Sequence, residues 1–530
     1  MPCQLELLRT PHFQRLTRLK QLGVSHLVFP GATHTRAEHC LGVAWLVRLL
    51  VRSLRLHQPE IDLTERDERL LVLAAQAHDL GHGVASHAFE GWLHESAQMA
   101  HLGQWKHELA SVRIFRHAVE QGLLPTLLDD ALGVDRIKAF IIGKVPSSAR
   151  ILPRTKRWML EVVNNVRSGI DVDRLDYLQR DALHTLGNNG GGLMHVSRLL
   201  CNARVSQNGE RLLFHVKMLG QLNELFHRRW TMFRMIYSHD TTVALELMLS
   251  DFLEHLSGST TFPLLRETLQ TGAVESYLML DDSLLQQART LCYMQRQALA
   301  DGLRGSSEKE TIDLALLRAC SVLDEIESRR LYECVAQRTL PTKPWRRAIQ
   351  NTAARPAALL EYIVDQQMHD RVEACLSRFR LHAMRFHYGG GDRNPLDQVR
   401  FFEWHATDIP VALSSREHSR LLPRHWSEIV VRLFYRSAPS HETYDRLSDQ
   451  QAQEDLELIE AVRLAFDAWL KRLLFGNDDE ETGCDASDSE RTSAGAAAVM
   501  SEVDKRNTTP STERRGKKRR WEPPILPLTK

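Results

Sequence analysis

The order of apolar and polar positions along the chain predicts helices over most of residues 1–380. The segment Glu65 to Ala77 has apolar residues at helical spacing and a charged first turn, which suits the positive end of a helix dipole. A mostly apolar helix follows His39 and begins at Leu41. A longer helical pattern covers Leu222 to Leu256, with a break expected near Ser238. These segments predict a mostly α-helical fold.

The pattern changes after about residue 380, where short aromatic segments with strand propensity replace the helical spacing. Arg385–Tyr388 and Val399–Trp404 are predicted strands on either side of a glycine-rich loop. We expect a last helix near Trp426–Tyr435. The sequence therefore predicts three parts. These are a core over residues 1–250, a helical and α+β C-terminal lobe over 251–475, and a disordered tail over 476–530.

Composition and charge limit the class of protein without fixing its function. The chain has 530 residues, 43% of them hydrophobic, and a net charge of +1, so any case for nucleic-acid binding must be local. Its 8 cysteines are scattered and form no C-x-x-C pair, which argues against a disulfide framework and a Cys-rich zinc module. No secretory signal or membrane-spanning stretch is apparent, so we expect a nuclear or cytoplasmic protein without a membrane partner. The basic cluster Arg514–Arg520 suits a nuclear signal or weak single-stranded nucleic-acid binding, but equally a solvated tail.

Three separated segments carry side chains of the kind that ligate metals. His39 opens a helix, and the adjacent His78 and Asp79 end an apolar run. If the third segment is helical, its polar side chains from Asp173 to Asp181 line one face. Imidazole and carboxylate groups together suit a divalent cation such as Fe, Mn, Zn or Mg. A capped helix end and a solvent-exposed helix face explain the same residues, and the residues alone leave these alternatives open.

The order His, His-Asp, Asp is the signature of HD-domain metallohydrolases, and a longer series of motifs is more specific. The series comprises Phe13-Gln14-Arg15-Leu16, Lys20-Gln21-Leu22-Gly23, Val28-Phe29-Pro30-Gly31-Ala32, His78-Asp79-Leu80-Gly81-His82-Gly83, Ser86-His87, Gly169-Ile170-Asp171-Val172-Asp173 and Asp176-Tyr177. Over most of its length the chain resembles the HD-domain deoxynucleoside triphosphate triphosphohydrolases, particularly the eukaryotic ones that carry a SAM domain. We expect this chain to lack the SAM domain and the N-terminal strand region of the family. The resemblance implies a mostly α, HD-domain helical metallohydrolase core with a small α+β C-terminal lobe.

The resemblance also implies a reaction and its catalytic residues. In the family, a water attacks the α-phosphorus of a dNTP, and the products are a deoxynucleoside and inorganic triphosphate. The metal ligands, for one divalent transition metal (Zn, Fe or Mn), match His39, His78, Asp79 and Asp173. Mg is expected with the substrate phosphates. The two family histidines that lie beside the α-phosphate match His82 and His87. Their acidic orienting partner matches Glu90, and the general acid matches His107.

Further positions that match the family bind the substrate. The phosphate-binding positions are Arg36, Arg174 and Arg229. Arginine offers bidentate bonds to phosphate, and Arg174 replaces a lysine usual in the family, which keeps the charge but changes the geometry. The sugar-binding positions are Gln21, Tyr177, Asp181 and Tyr237. The tyrosines are expected to crowd a 2′-hydroxyl, which favours dNTPs over ribonucleotides.

The chain departs from the family where activating nucleotides bind between subunits. Arg9 stands where the family reads guanine with an aspartate, and Thr17 replaces a nearby arginine. Asp240 replaces a lysine and would repel phosphate. The activator-site positions that still match are Gln14, Arg198 and Lys217. We therefore expect activation by guanine nucleotides to be lost or rewired, while a homo-oligomer, dimer or tetramer, is carried over from the family.

Two other classes of function stay open on the sequence. Another HD-fold nucleotide phosphohydrolase or phosphodiesterase needs only the metal ligands, so the additional His82 and His87 favour the dNTPase. A catalytically weak, nucleic-acid-binding regulatory protein would use the basic tail and would be indifferent to mutation of the metal ligands.

Overall fold

The structure is a computed structural model that describes residues 2–96, 99, 105–145, 151–187, 195–302, 312–341, 356–413, 422–437 and 449–475. Met1–Leu473 form one compact unit. The predicted tail over 476–530, with its basic cluster, lies outside the described residues. The predicted division at residue 250 stays a prediction.

Helices make up most of the described chain, which confirms the predicted fold class. The α-helices in chain order are α1 (Pro2–Arg9), α2 (Pro11–Gln14), α3 (Arg36–His57), α4 (Glu65–Ala77), α5 (His87–Glu95), α6 (His107–Glu120), α7 (Ala131–Ile142), α8 (Val172–Leu186), α9 (Val196–Cys201), α10 (Leu219–Met232), α11 (Asp240–Ser257), α12 (Leu264–Thr271), α13 (Val274–Tyr277), α14 (Ser283–Gly302), α15 (Leu314–Glu327), α16 (Gln366–Ala374) and α17 (Asp449–Phe475). The strands are β1 (Ala203–Val205), β2 (Leu212–His215), β3 (Glu333–Pro341), β4 (Phe379–His387), β5 (Phe401–Glu403), β6 (Ala406–Val411) and β7 (Ser427–Tyr435).

Local sequence explains where the helices that carry the predicted site begin. The Thr64 hydroxyl accepts a hydrogen bond from the Asp67 N–H, and the Asp67 carboxylate accepts one from the Thr64 N–H, so a capping box starts α4. The Asp171 carboxylate caps α8 by accepting a hydrogen bond from a backbone N–H of the first turn. The predicted break in the long helical pattern is also confirmed, since a π-helix over Phe233–Tyr237 and then Ser238 separate α10 from α11.

Two small sheets complete the fold. One has the strand order β1-β2-β5-β6, and β2 pairs in parallel with β5, with Phe214 opposite Phe401. The other has the order β3-β7-β4, and its central strand runs antiparallel to both neighbours. The predicted strands at Arg385–Tyr388 and Val399–Trp404 are confirmed, because they overlap β4 and β5.

The predicted last helix near Trp426–Tyr435 is wrong, because this segment forms β7. From Ile429 to Tyr435 every residue is buried. A central strand that is covered on both faces reads as an almost continuous apolar run, interrupted here by Arg432. Hydrophobic periodicity does not separate such a strand from a buried helix, whereas the β-branched run Ile429-Val430-Val431 favours the strand.

The core that positions the site lies where α3 packs against α4 and α8. Every residue of α4 from Leu70 to Ala77 is buried, so close packing on all sides fixes the end of α4, where His78 and Asp79 follow. Among the described helices, none combines the length and the apolar character needed to cross a bilayer.

Candidate metal centre and active site

The ends of three packed helices bring the predicted metal ligands together. His39 lies in the first turn of α3, His78 and Asp79 directly follow α4, and Asp173 lies in the first turn of α8. The Nε2 atom of His39 lies 3.2 Å from Nε2 of His78 and 3.0 Å from Oδ1 of Asp173. The His78 Nε2 atom lies 3.3 Å from Oδ1 of Asp79 and 3.6 Å from Oδ1 of Asp173. His39, His78 and Asp79 each offer a ligand atom within 4.8 Å of the other two, and Asp173 Oδ1 adjoins this group on the side of the two imidazoles.

Neighbouring groups fix the orientation of these side chains. The Nδ1–H of His78 donates to the Ala75 carbonyl at 2.8 Å, which leaves Nε2 as the lone-pair nitrogen. The Nδ1–H of His39 donates to Asp176 at 2.8 Å, and Arg180 in turn holds that carboxylate with two hydrogen bonds. Each imidazole thus presents Nε2 to the centre.

The donor set fits a divalent cation. Ligand atoms about 2.0–2.2 Å from one ion stand about 3–3.5 Å apart, close to the separations found here. Burial disfavours the charged form of His39, but Asp173 and Asp176 outweigh it and raise the pKa of His39 to about 10. The carboxylates thus give the centre a negative potential that attracts positive charge. Nitrogen and oxygen donors without thiolate suit several divalent metals.

A second cluster of histidines adjoins the metal ligands. The ring of His82 stacks on that of His107 with centroids 4.1 Å apart, and His82 Nε2 lies 3.5 Å from Asp79 Oδ1. The His107 Nδ1–H donates to Glu90 at 3.0 Å. His87 is more exposed, with its ring centroid 5.1 Å from that of His82. The predicted catalytic side chains are therefore brought together beside the metal ligands.

Glycine and charge shape this second cluster. A Cβ at Gly81 would lie 2.1 Å from the His107 carbonyl oxygen, so only glycine lets the start of α6 approach so closely. Burial, Arg36 and His107 lower the pKa of His82 well below its usual range, which leaves it neutral. Burial also opposes charge on His107, but the hydrogen bond to Glu90 outweighs it and raises the pKa of His107. Of the two rings, His107 is therefore the one that holds a proton more readily.

The predicted phosphate-binding arginines differ in their partners. Arg36 is buried and donates to Asp79, to the Ser86 hydroxyl and to a backbone carbonyl, so its guanidinium is already engaged. The Nε and Nη1 groups of Arg174 and the Nε group of Arg229 are buried with no acceptor in the described part of the chain. These two arginines have N–H groups to offer to an anion, whereas Arg36 supports a metal ligand in this conformation. The phosphate role of Arg36 stays a prediction.

The predicted sugar-binding residues line the neighbouring part of the site. Tyr237 donates to one oxygen of the buried Asp181 at 2.7 Å, and His34 donates to the other at 2.7 Å. Tyr177 lies among Arg174 and Arg229, and burial raises its pKa. The buried side-chain oxygen of Gln21 has no donor among the described residues.

The predicted activator-site residues do not join this cluster. The Gln14 amide donates to the Leu8 carbonyl, and the side chains of Arg198 and Lys217 are exposed. Asp240, which replaces a family lysine, forms an ion pair with Arg432 at 2.9 Å. That carboxylate is thus held by a cation of the chain itself.

The sequence did not assign roles to Asp176, Arg180, His34 and Ser86, which support the site from outside. Asp176 and Arg180 were detectable, because they recur on the helical face that begins at Asp173. Ser86 stands within a quoted motif that gives it no role, and His34 carries no sequence signal of its own. Ser86 has φ of 60° and its hydroxyl joins the Lys20 carbonyl to Arg36, in the turn just before α5.

Comparison with known proteins places this site in a family. Residues 36–181 match the HD domain family, a segment that includes all the predicted metal ligands. The chain is 31% identical to Deoxynucleoside triphosphate triphosphohydrolase SAMHD1 of Gallus gallus, over 82% of this chain and 69% of that protein. It is 29% identical to the Homo sapiens protein of the same name, over 84% of this chain and 69% of that one. A viral relative, Putative HD domain-containing protein L394 of Acanthamoeba polyphaga mimivirus, is 25% identical over 81% of this chain and 88% of its own length. The chain belongs to the family of the SAMHD1 deoxynucleoside triphosphate triphosphohydrolases, within the HD domain superfamily.

Proposed function

We propose that this protein hydrolyses dNTPs to deoxynucleosides and inorganic triphosphate in a metal-dependent reaction and so controls dNTP pools. The observation that carries the proposal is the convergence of His39, His78, Asp79 and Asp173 beside the His107–Glu90 pair. A metal centre next to a proton-carrying histidine suits attack of water on phosphorus with protonation of a leaving oxygen. The printed names of the relatives support dNTPs as the substrate class.

A divalent cation held by the HD ligands would polarise a phosphoryl oxygen and acidify a water. The water oxygen forms a bond to the α-phosphorus and releases a proton to solvent, and the bond from phosphorus to the 5′-oxygen breaks. His107, with Nδ1–H donating to Glu90, gives its Nε2 proton to that oxygen. His82 and His87 bind the α-phosphate. This sequence leaves a neutral deoxynucleoside and triphosphate.

The remaining side chains bind and select the substrate. Arg174 and Arg229 offer their unpaired N–H groups to the β- and γ-phosphates. Asp181 and Gln21 bind the 3′-hydroxyl, while the rings of Tyr177 and Tyr237 occupy the space that a 2′-hydroxyl needs. The protein is therefore expected to prefer dNTPs to ribonucleotides.

Metal identity, regulation, assembly and location complete the proposal. Zn, Fe or Mn suits the HD ligands, and Mg accompanies the substrate phosphates. Loss or rewiring of activation by GTP is supported by Arg9, Thr17 and the Asp240–Arg432 ion pair. A homo-oligomer is supported by Trp45 and Leu183, two exposed apolar side chains that line the same surface cavity. The basic cluster near the C-terminus supports a nuclear location and weak binding of single-stranded nucleic acid.

The proposed function is tested by product analysis. Purified protein is supplied with Mn or Mg and a mixture of dNTPs and ribonucleotides, with and without GTP. We expect deoxynucleoside and intact triphosphate from dNTPs, with little dependence on GTP. Orthophosphate as the product would indicate another HD-fold phosphohydrolase, and a steep requirement for GTP would contradict the proposed loss of activation.

The Glu90–His107 pair predicts a specific pH dependence. A general acid acts in its protonated form, so the rate falls as the pH rises through the pKa of His107, which is raised above 6.5. Glu90→Gln removes the main raising contribution, leaves burial to lower the pKa, and should move this alkaline limb to lower pH. The measurement is the pH profile of kcat for both proteins. An unchanged alkaline limb would show that Glu90 does not control the essential acid.

A further inference from the structure

The backbone between the metal ligands is held by side chains from distant parts of the chain. In the segment His78–His82, the Ser111 hydroxyl donates to the His78 carbonyl at 2.6 Å, and the Tyr277 hydroxyl donates to the Gly81 carbonyl at 2.7 Å. Arg15 donates to the Leu80 carbonyl at 3.1 Å and to the His82 carbonyl at 2.5 Å. The Asp79 carbonyl accepts from the His82 N–H within the segment. Every carbonyl of this segment is thus bonded.

Arg15 holds a central place in this arrangement. Its side chain is fully buried and forms no salt bridge within 4 Å among the described residues, while Asp281 and Asp282 attract it at longer range. Besides the two carbonyls of the segment, it donates to the Leu280 carbonyl, and its guanidinium lies 5.1 Å from the ring centroid of Tyr277. Burying a guanidinium without a carboxylate in direct contact is costly, and hydrophobic residues would fill a core better. Its position therefore calls for a function other than packing.

The segment needs such support. Gly81 lies inside it and Gly83 directly follows, and glycine gives a backbone many conformations to choose from. The same segment must place Asp79 and His82 at fixed distances from His39 and His107. Groups that hold a metal ligand from outside commonly set the affinity for the metal.

We infer that Arg15, Ser111 and Tyr277 are positioning residues that hold the ligand-bearing segment His78–His82 in its metal-binding conformation, with Arg15 making the largest contribution. The inference rests on the proposed function only in taking the HD residues as a cation site. None of the three touches the reacting atoms. They act through the backbone of Asp79 and its neighbours.

The test measures Mn²⁺ affinity of the full chain by isothermal titration calorimetry, separately from turnover. Arg15→Lys keeps the charge, but a single ammonium cannot reach three carbonyls, and we expect Mn²⁺ to bind about 10- to 100-fold more weakly. Tyr277→Phe removes only the bond to Gly81, and we expect a loss of about 2- to 10-fold. Arg18→Lys is the matched control, because Arg18 lies in the same turn of chain but pairs with Asp281. It should bind Mn²⁺ as the unmodified protein does.

The outcomes separate this inference from the proposed function. Near-UV circular dichroism and the Tm without metal report folding, so weaker binding by a folded variant supports positioning. If Arg15→Lys does not fold, the nearly isosteric Tyr277→Phe decides. Folded variants that bind Mn²⁺ as tightly as the Arg18→Lys control would overturn the inference. An unmodified protein that binds Mn²⁺ without hydrolysing dNTPs would contradict the proposed function and leave the positioning result intact.

Discussion

Replacing Asp173 with alanine is expected to lower kcat for dNTP hydrolysis by about a thousandfold while the protein stays folded. Asp173 contributes an oxygen 3.0 Å from the metal-facing nitrogen of His39. A bound cation supplies several kcal/mol of charge stabilisation in the transition state, and about 4 kcal/mol corresponds to about 10³-fold in rate. The Asp173 side chain is 34% exposed, so alanine leaves a solvated gap rather than a cavity in the core. Triphosphate release and Mn²⁺ binding are measured together.

The control for this variant is Asp324→Ala on α15. It also removes a carboxylate, but one that is exposed and paired with Arg296 at the surface, where an ion pair contributes little. We expect wild-type turnover and wild-type Mn²⁺ affinity from this control. A folded Asp173→Ala protein that keeps both properties would contradict the assignment of the metal centre.

Replacing His107 with glutamine is expected to lower kcat by about 10²- to 10⁴-fold, with a small effect on KM. In the proposed mechanism His107 supplies the proton for the 5′-oxygen, and its Nδ1–H is held by Glu90 at 3.0 Å. A substrate whose leaving group needs no proton separates this role from binding. With p-nitrophenyl triphosphate, p-nitrophenolate leaves as an anion, so His107→Gln should hydrolyse it nearly as fast as the unmodified protein does.

The matched control lies on the same helix. His117 is in the last turn of α6 and contacts His12 and Glu275, away from the metal ligands. His117→Gln should leave both substrates unaffected. Equal losses on dNTP and on the aryl substrate in His107→Gln would mean that His107 binds or positions the substrate rather than protonating the leaving group.

The helices near the site were predictable because their signals are local. The helix from Glu65 to Ala77 was predicted with its observed bounds, since the amphipathic spacing and the acidic first turn lie within the segment itself. The break near Ser238 was predictable for the same reason. The sequence pattern predicts a helix near Trp426–Tyr435, whereas the segment forms β7, because pairing with the distant strands β3 and β4 determines its structure.

In the candidate site, too, features with a local sequence signal are predictable and contacts between distant segments are not. Its candidate ligands His39, His78, Asp79 and Asp173 are predicted from their order along the chain and from resemblance to a family. Arg15 stood within a quoted motif, yet its bonds to the Leu80 and His82 carbonyls depend on tertiary structure. The pairing of Arg36 with Asp79 is likewise not predictable, because the sequence does not distinguish an arginine that binds phosphate from one that pairs with a carboxylate.

The parallel pairing of β2 with β5 affects how the chain folds during synthesis. Phe214 and Phe401 are far apart in sequence but belong to one buried cluster, so the free energy of closing a long loop must be overcome before they meet. The helices that carry the predicted metal ligands are synthesised first. Until β5 has been made, one edge of β2 lacks its partner strand and can pair with a wrong one. The hydrogen bond from Arg229 Nη1 to the His387 carbonyl also forms late, because His387 lies far along the chain. The predicted metal ligands can therefore assemble early, whereas the side of the site that carries Arg229 is completed only after His387 has been synthesised.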